Sequence, residues 1–289
     1  MPQQFFNRVA KLTIATPITG GGLDIGIVIS TPMRITFEIT KTAFSIANIG
    51  TITVNNLSDQ TRNIIRQDRN LIAILEAGYV AAGGSQLLFY GDIVDVSHNI
   101  EKPEIITTIT AMDGHSAIKQ TKISVSYKKG TPLSQIIKDC AKSLGLPMSS
   151  TFSYLQLPTQ NITAPMAFAG PAADWLDKLC DDNGLAWSVQ NGAVKINSLT
   201  QTDGNPPLST ALIGSPKRLF KNMISQSLLD FSGYEFNALL MPRCEPYCGV
   251  TLQSNEIKTA ITLMAMEVKH SGDLYGADWK TTVKAKDLK

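Results

Sequence analysis

The residues best suited to chemistry in this chain are two cysteines, Cys244 and Cys248, followed by His270. Thiolates and imidazoles are the ligands that a structural zinc ion prefers, but such a site needs four of them. The cysteine pair supplies half of that set, His270 could supply a third ligand, and no clear fourth ligand lies nearby in the sequence. We therefore expect free or packed thiols, with a metal site and a strained local disulfide as the alternatives.

Other side chains that could act as acids, bases or nucleophiles are scattered. The three histidines, His98, His115 and His270, lie far apart, and only the fold could assemble a catalytic triad from them. The adjacent carboxylates Asp181 and Asp182 precede an Asn-Gly pair, which is typical of a solvated helix end. There is no glycine-rich phosphate loop, nucleophile elbow or His-Glu-x-x-His motif. The sequence therefore predicts no catalytic, cofactor-binding or metal-binding residues.

Several other conspicuous residues are better explained by turns or by packing. Asp273 and Asp278 flank a Tyr-Gly pair, which favours a role as turn formers over a role as acid and base. Four further residues lie in apolar helix-like or strand-like patterns and are predicted to be core: Cys140, Cys180, Trp175 and Trp187.

Charge and composition argue against nucleic acid as a partner. The chain has 289 residues, 26 of them basic and 24 acidic, so its formal net charge of +2 creates little field for capturing phosphates. One basic cluster, Lys217, Arg218 and Lys221, has only Phe220 beside it, whereas a single-strand binding surface interleaves several aromatic residues with its cations. We expect no sequence-specific nucleic acid binding, and a solvated or partner-facing surface at this cluster.

The composition is that of a folded chain, with 43% hydrophobic and 17% charged residues, long enough for two domains or one large one. Residues 1–11 contain no apolar stretch of signal-peptide length, and no segment reaches the ~20 apolar residues that a membrane span requires. We therefore expect no membrane partner, and a protein that stays in the cytoplasm where it is made.

The first 118 residues are predicted to form a β domain that contains one short helix. Residues 33–40 alternate strictly between apolar and polar side chains, which indicates a half-buried strand. Ser58 is a suitable N-cap for the short helix that follows residue 58. Strands separated by short turns favour a barrel or a sandwich. The predicted strands are residues 9–14, 24–30, 33–42, 49–55, 71–79, 86–98 and 105–112.

Residues 119–198 are predicted to form a small α+β domain. Thr131 is the expected N-cap of a first helix, with Pro132 as its first residue and Gly145 as its stop. Pro171 is expected to open a second helix, and the Asn-Gly pair at 191–192 predicts a tight β-hairpin.

The pattern returns to β in residues 199–289. Strands are predicted at residues 228–231, 236–241, 249–252 and 259–269. Residues 260–268 are apolar on nearly every side, which indicates a strand buried on both faces, with a buried helix as the alternative. The predicted fold class is therefore mainly β, with two β domains, 1–118 and 199–289, flanking the α+β domain.

Three groups of segments resemble the baseplate hub family of tailed bacteriophages, which includes the late-control protein. The first is the strand and "NLS" corner at residues 49–58, which leads into the short helix at 61–65. The second joins "AGY" within residues 74–79 to the F-x-G-x-I pattern at 89–93, followed by an "MDG" corner at 112–114. The third comprises residues 237–242, 250–254, 270–273 and 276–279. Each segment is weakly specific, but the ordered set spans most of the chain.

This resemblance implies a structural protein of the virion, made in the host cytoplasm, that forms the tail baseplate hub. Family hubs are homotrimers in which each chain contributes two tail-tube-like β-barrel domains to a pseudo-hexameric ring. One face of the ring meets the tail tube or the tube-initiator protein, and the other meets the central spike. Tape measure and baseplate wedge proteins are further implied partners. The segment from Cys244 to Cys248 departs from the shorter polar turn of relatives.

Two other functions remain as alternatives to the hub. A tail-tip cell-wall hydrolase would need a carboxylate pair or a zinc set in a pocket, and the sequence offers neither. A receptor-binding β module would rest on analogy of fold alone. Release of dye from labelled cell wall would identify the first, and binding of the isolated protein to a glycan array would identify the second.

We predict that the protein purified without added metal contains no stoichiometric zinc, because the ligand set around Cys244 and Cys248 is incomplete. Elemental analysis of the purified chain measures this, with Cys140→Ser as a control that removes a thiol elsewhere. One zinc ion per chain, lost in Cys244→Ser together with folding, would contradict the prediction.

Overall fold

The computed structural model describes residues 7–18, 22–67, 70–149, 157–220 and 231–288. The chain is mainly β. Its strands are β1 Arg8–Ile18, β2 Gly22–Ser30, β3 Ile35–Thr42, β4 Asn48–Asn55, β5 Ile72–Tyr79, β6 Gly84–Glu101, β7 Glu104–Asp113, β8 Lys122–Tyr127, β9 Met166–Pro171, β10 Leu185–Gln190, β11 Ala193–Ser198, β12 Leu208–Ser209, β13 Leu212–Leu219, β14 Gly233–Leu239, β15 Gly249–Leu252, β16 Ile261–Asp273 and β17 Trp279–Asp287. Its α-helices are α1 Asp59–Gln67, α2 His115–Gln120, α3 Leu133–Ser143 and α4 Ala172–Asp181.

Strands from both ends of the chain belong to one open sheet of 13 strands. Eleven of them follow in the order β13-β14-β17-β16-β3-β4-β7-β6-β5-β1-β2. Off this path, β15 pairs with β16, and β12 pairs with β15. The N-terminal and C-terminal strands meet where β3 pairs antiparallel with β16, a junction that we call the seam. The predicted pair of β-barrels is not confirmed, because the strands share this sheet and no closed barrel occurs in the described part of the chain.

The eight strands around the seam repeat one topology. On the N-terminal side, the hairpins β3–β4 and β6–β7 lie in the spatial order β3-β4-β7-β6. On the C-terminal side, the hairpins β13–β14 and β16–β17 lie in the order β13-β14-β17-β16. In each unit, the second strand of the first hairpin pairs with the second strand of the second hairpin. The first strand of each hairpin therefore lies at an edge of the unit. We call these the N-terminal and C-terminal four-strand units.

Local sequence explains the strands next to the seam. In β3, the side chains of Ile35, Phe37 and Ile39 are buried while their neighbours are more exposed, as the period of two predicts. The antiparallel pairing of β16 with β3 and β17 confirms the predicted strand and excludes the alternative helix. Its four residues from 263 to 266 are all buried. The Oγ of Ser58 accepts a hydrogen bond from the N–H of Thr61 at 3.1 Å, so the predicted cap of α1 is confirmed.

The segment between β7 and β12 carries its own apolar core, formed by residues from 133 to 196. The first predicted helix begins one residue later than expected, because Pro132 is extended with ψ at 129° and Thr131 donates its hydroxyl hydrogen bond to the Lys128 carbonyl. Asn191 and Gly192 both have positive φ, 53° and 79°, which confirms the predicted tight hairpin between β10 and β11.

Several strands were not predicted from the sequence. They are β8, β9, β12, β13 and β17. The predicted strand at 228–231 lies outside the described residues except for Phe231, which is buried and not in a strand.

Three further apolar clusters complete the interior. One lies under β1–β7 and includes Trp279, one lies between the C-terminal strands, and one joins Ala43 to Met264.

Gly272→Ala is predicted to destabilise the fold by about 1–3 kcal/mol, because a Cβ at this position of the seam would overlap the ring of Phe37 on the paired strand. Phe37 is itself held against Trp279, with ring centroids 5.4 Å apart, so it has little room to move. Chemical denaturation measures the free energy of unfolding. The control is Gly26→Ala, where the nearest atom to a new Cβ is 3.8 Å away. Equal stability of the two variants would contradict the prediction.

Candidate functional site

The most heavily built polar site of the described residues is the junction where the tip of the β10–β11 hairpin meets the large sheet. The carboxylate of Asp113, at the end of β7, accepts hydrogen bonds from the backbone N–H groups of Asn191 at 2.5 Å and Gly192 at 2.9 Å. Asp113 is fully buried. A carboxylate that receives both N–H groups of a tight turn fixes the position of the hairpin relative to the sheet.

Two buried lysines hold the other side of this junction. Lys41 is fully buried and donates from Nζ to Oδ1 of Asn191 at 2.9 Å. Lys195 donates to Oδ2 of Asp203 at 3.1 Å, and both side chains of this pair are 3% exposed. Glu245 lies between the two lysines, with N–O distances of 3.6 Å to Lys41 and 3.9 Å to Lys195. Each buried cation therefore has a nearby carboxylate, which burial of a charge requires.

Amide side chains complete the contact between the hairpin and the sheet. The Nδ2 of Asn48 donates to the Val189 carbonyl at 2.7 Å and to Oε1 of Gln190 at 3.0 Å. The Nε2 of Gln190 donates in turn to the Thr42 carbonyl at 2.8 Å. Tyr247, in the loop after β14, donates its hydroxyl hydrogen bond to a backbone carbonyl just after β3. This polar junction therefore ties three separate parts of the chain together.

The junction is built to hold backbone in place rather than to transfer protons. Burial raises the pKa of Asp113 to about 6, although its hydrogen bonds from Gly192 and Asn191 act in the opposite direction. A pKa near neutrality is typical of a general base, but both oxygens of this carboxylate are occupied by N–H groups of the protein. Substrate could reach the carboxylate only by displacing the hairpin.

One feature of the sequence indicates this junction, namely the position of Lys41 in β3. Lys41 occupies the same face of β3 as Ile35, Phe37 and Ile39, because it lies two residues beyond Ile39. A lysine in phase with a buried apolar series predicts a buried charge that needs partners. Its partners Asn191 and Glu245 are distant in sequence, so their identity could not be predicted from the pattern.

The cysteine pair lies beside the junction. The Sγ atoms of Cys244 and Cys248 are 3.7 Å apart, both residues are buried, and the thiols are free. The hydrogen bond to Cys248, together with burial, raises the pKa of Cys244 well above its ordinary value, which disfavours the thiolate that binds metals. No group of three or more His, Cys, Asp or Glu residues with metal-binding geometry occurs in the described ranges.

The histidines are held by separate partners. The Nδ1 of His98 lies 3.1 Å from the Thr107 hydroxyl, and that of His270 lies 2.9 Å from the Thr281 hydroxyl. Burial and then the nearby charge of Lys41 lower the pKa of His270 to about 3, so its ring is neutral. His115 is the first residue of α2. The structure thus gives these rings no common catalytic centre among the residues that it describes.

The remaining predicted residues also take structural positions. Asp181 and Asp182 are exposed at the end of α4. Asp273 accepts the Tyr275 N–H within its turn, and its hydrogen bond to Arg34 lowers the pKa of the Asp273 carboxyl.

The predicted core residues and the basic cluster complete this comparison. Cys140, Cys180 and Trp187 are buried, whereas Trp175 is half-buried against Phe168. In the basic cluster, Lys217 is exposed, Arg218 pairs with Asp287 at 2.6 Å, and Lys221 lies outside the described residues.

The face of the sheet that spans the seam is polar. Side chains from β3, β4, β14, β16 and β17 line a groove of about 570 Å³, among them Thr36, Thr53, Lys269, Ser271 and Lys280. Ion pairs cross this face, including Lys269–Glu38 at 2.6 Å and Lys284–Glu267 at 2.7 Å. The lining of the groove contains two lysines, Lys269 and Lys280, and four carboxylates: Glu38, Glu235, Asp273 and Asp278. No helix in the described part of the chain is long and apolar enough to span a membrane.

Solved structures with this fold include phage tail proteins and a component of the type VI secretion system. The 43 kDa tail protein of prophage MuSo2 from Shewanella oneidensis is 10% identical, with a TM-score of 0.63, over 96% of this chain and 98% of its own. A tail protein from Neisseria meningitidis MC58 is 11% identical, with a TM-score of 0.61 and 96% coverage of both chains. The E. coli c3393 protein, a component of the type VI secretion system, is 11% identical, with a TM-score of 0.59, over 89% of this chain and 74% of its own.

At these identities the likeness defines the class of the fold, which is that of phage tail proteins. No curated protein matches the sequence. The family model for Baseplate hub gp41 matches residues 12–255, which is most of the chain. The chain therefore belongs to the Baseplate hub gp41 family, as the resemblance in its sequence predicted, and is a structural protein of the bacteriophage tail baseplate.

Asp113→Asn is predicted to change how stability depends on pH. The folded-state pKa of about 6 lies above the ordinary value of 3.8, so folding favours the protonated carboxyl. The stabilisation from Asp113 is thus complete below about pH 4 and is lost as the pH rises through about 6. Between pH 4 and pH 7, wild type should lose about 3 kcal/mol relative to Asp113→Asn, given 1.36 kcal/mol per pKa unit.

Urea unfolding of both proteins across this pH range measures the difference. The control is Gln190→Ala, which removes a hydrogen bond to the Thr42 carbonyl without removing a titrating group. It should lower the free energy of unfolding equally at every pH. A constant difference between wild type and Asp113→Asn would contradict the prediction.

Proposed function

We propose that this protein is a trimeric symmetry adaptor that joins the sixfold tail tube to the threefold central spike. The observation that carries the proposal is the internal repeat, in which two units of the same four-strand topology stand side by side in one sheet. Three copies would present six such units around one axis. A ring of this kind matches sixfold symmetry on one face while keeping threefold symmetry in its chains.

Membership of the baseplate hub family supports this role. One protein of similar fold, from the type VI secretion system, is itself described as similar in structure to the T4 tail proteins gp27 and gp5. On the family resemblance, the partners of this chain are two further copies of itself, the tail tube or tube-initiator protein, and the central spike. Tape measure and baseplate wedge proteins are further partners. The protein is made in the host cytoplasm and ends in the virion.

The proposal divides the chain into three domains, 1–118, 119–198 and 199–289. The separate apolar core of residues 133–196 supports the middle domain as a packing unit of its own. The two outer domains contain the repeated four-strand units and meet at the seam. In this arrangement the middle domain is held at the side of the ring by the polar junction.

The polar face of the sheet is proposed to line the inside of the ring. Polar and charged side chains keep such a surface hydrated, and ion pairs between neighbouring strands engage several of its charges. The groove along this face crosses the seam and is shared by both four-strand units. Continuation of the same face in three copies would give a hydrated inner wall.

The proposed role requires no catalysis. Buried carboxylates of the junction are engaged by the protein, which supports a structural role over the alternative of a tail-tip hydrolase. A receptor-binding β module is the remaining alternative, and it would lie at the periphery of the tail rather than on its axis.

Three copies per tail are predicted, because each copy supplies two of six units. Quantitative mass spectrometry of purified tails, calibrated against a tail protein of known copy number, measures this value. Cryo-electron microscopy locates the copies on the particle. Six copies would instead indicate an ordinary tube or tube-initiator ring, and a position away from the tail axis would exclude the hub.

A further inference from the structure

We propose that Cys244 and Cys248 form a site of reversible disulfide formation, and that its oxidation locks the polar junction between the β10–β11 hairpin and the large sheet. The co-reactant is a low-molecular-weight disulfide, the class to which oxidised glutathione belongs. The site lies within a single chain and does not depend on the proposed trimer. Its failure would therefore leave the proposed function standing.

The two thiols are already in contact. Their Sγ atoms lie 3.7 Å apart, and both side chains belong to the apolar cluster between the C-terminal strands. Neither thiol is bonded to another cysteine in this structure. Sulfur atoms at such a distance touch, so small rotations of the two side chains would bring them close enough to bond.

The loop that carries the pair is fixed to two neighbouring strands. Before the pair, the N–H of Met241 donates to the Thr281 hydroxyl at 2.9 Å. After it, the N–H of Ala265 donates to the Cys248 carbonyl at 3.0 Å. Between these anchors, the N–H of Cys244 donates to the Met241 carbonyl at 2.9 Å and closes a turn. The backbone therefore holds the two thiols together in the folded chain.

The residues between the two cysteines supply contacts of the polar junction. The Oε1 of Glu245 accepts a hydrogen bond from Nδ2 of Asn191 at 2.5 Å and lies 3.6 Å from Nζ of Lys41. Tyr247 donates its hydroxyl hydrogen bond to the Ala43 carbonyl. A covalent bond between the cysteines would span both of these residues, so it would restrain the part of the loop that holds the hairpin.

Tyr247 has a conformation that its surroundings must maintain. Its φ is 72°, in the left-handed region that bulky side chains rarely adopt. The side chain is fully buried, and Nζ of Lys195 lies 5.8 Å from the centroid of its ring. A backbone of this kind persists only while its contacts are intact, so opening of the loop would relieve strain. A crosslink across the loop would oppose that opening.

The oxidation is an exchange of sulfur partners that transfers two electrons. The Cys248 thiolate, whose residue is 6% exposed whereas Cys244 is fully buried, attacks one sulfur of the small disulfide. The S–S bond of the small disulfide breaks, and one small thiol is released. The Cys244 thiolate then attacks the sulfur of Cys248, and the mixed disulfide breaks to release a second small thiol. The two cysteines lose two electrons and two protons, and the small disulfide gains them.

A tail protein would meet conditions that favour each state of this site. Thiols stay reduced in the cytoplasm, whereas disulfides persist outside the cell. On the proposed route from host cytoplasm to virion, the pair would be a dithiol while the tail assembles and a disulfide in the released particle. The junction would then be adjustable during assembly and locked afterwards.

Oxidation is tested on the full chain, purified in reducing buffer and then incubated in the folded state with excess oxidised glutathione. Burial limits access to the pair, so the reaction is followed over hours. Remaining thiols are alkylated after unfolding. Trypsin releases both cysteines in one peptide, residues 244–258, because Arg243 and Lys258 flank it. Cys140 and Cys180, buried in the middle segment, serve as internal controls.

The peptide is expected to lose the mass of two hydrogen atoms and to carry no alkyl label, while Cys140 and Cys180 are labelled. Dithiothreitol should restore both labels. In Cys244→Ser, oxidation should stop at a mixed disulfide on Cys248. Free thiols at both positions of the wild-type loop after the full incubation, or glutathione still attached there, would overturn the site.

Locking of the junction is tested by hydrogen exchange at Asn191 and Gly192, whose N–H groups bind Asp113. Exchange at these amides is expected to be about tenfold slower in the oxidised than in the reduced wild-type chain, because the crosslink restrains the loop. The amide of Ile52, in β4, should exchange equally in both. The comparison needs no substitution, so it does not depend on how a variant folds. A disulfide that leaves exchange at Asn191 and Gly192 unchanged would overturn the locking.

Discussion

The antiparallel pairing of β3 with β16 is the contact on which the rest of the architecture depends. It joins residues 36–42 to residues 267–273, so that strands from the two ends of the chain form one sheet. Close packing enforces its register, since Gly272 faces Phe37 and leaves no room for a side chain. This one pairing places two four-strand units of the same topology next to each other in one sheet, in a fixed orientation.

The middle segment is attached to this sheet by polar contacts beside a small apolar cluster that joins Ala186 to Ala43 and Met264. Buried Lys41 and Asp113 would each be costly alone, and their hydrogen bonds to the turn at Asn191 compensate for that cost. Such contacts are directional, so they fix one orientation of the hairpin, which apolar packing alone specifies less strictly. Glu245 and Tyr247 extend the same contacts to the loop after β14.

Local patterns predicted much of this structure. Alternation identified most strands of the N-terminal region. The Asn-Gly pair identified the β10–β11 hairpin, because these two residue types readily adopt the positive φ values that a tight hairpin turn requires. Strands whose alternation is masked by other features were missed. The strand β13 contains Pro216, and in β17 the buried residues alternate with lysines and a threonine. Ordered short motifs, rather than any single residue, identified the family.

The contacts between distant parts of the chain could not be predicted in this way. The seam pairs residues more than 200 positions apart, and the junction brings together Lys41, Asn191 and Glu245 from three regions. Neither local propensity nor periodicity contains information about such distant partners. In the described part of the chain these contacts join the N-terminal and C-terminal strands into one open sheet with an internal repeat, and the expected pair of barrels is not confirmed.

A cryo-electron microscopy map of the tail tip at a resolution that separates strands would test this account most directly. The account predicts an inner wall in which each chain contributes eight consecutive strands and the two four-strand units of every chain are related by the same rotation as units of neighbouring chains. A ring in which the two units of one chain are separated at the seam, or are related by a different rotation, would contradict it.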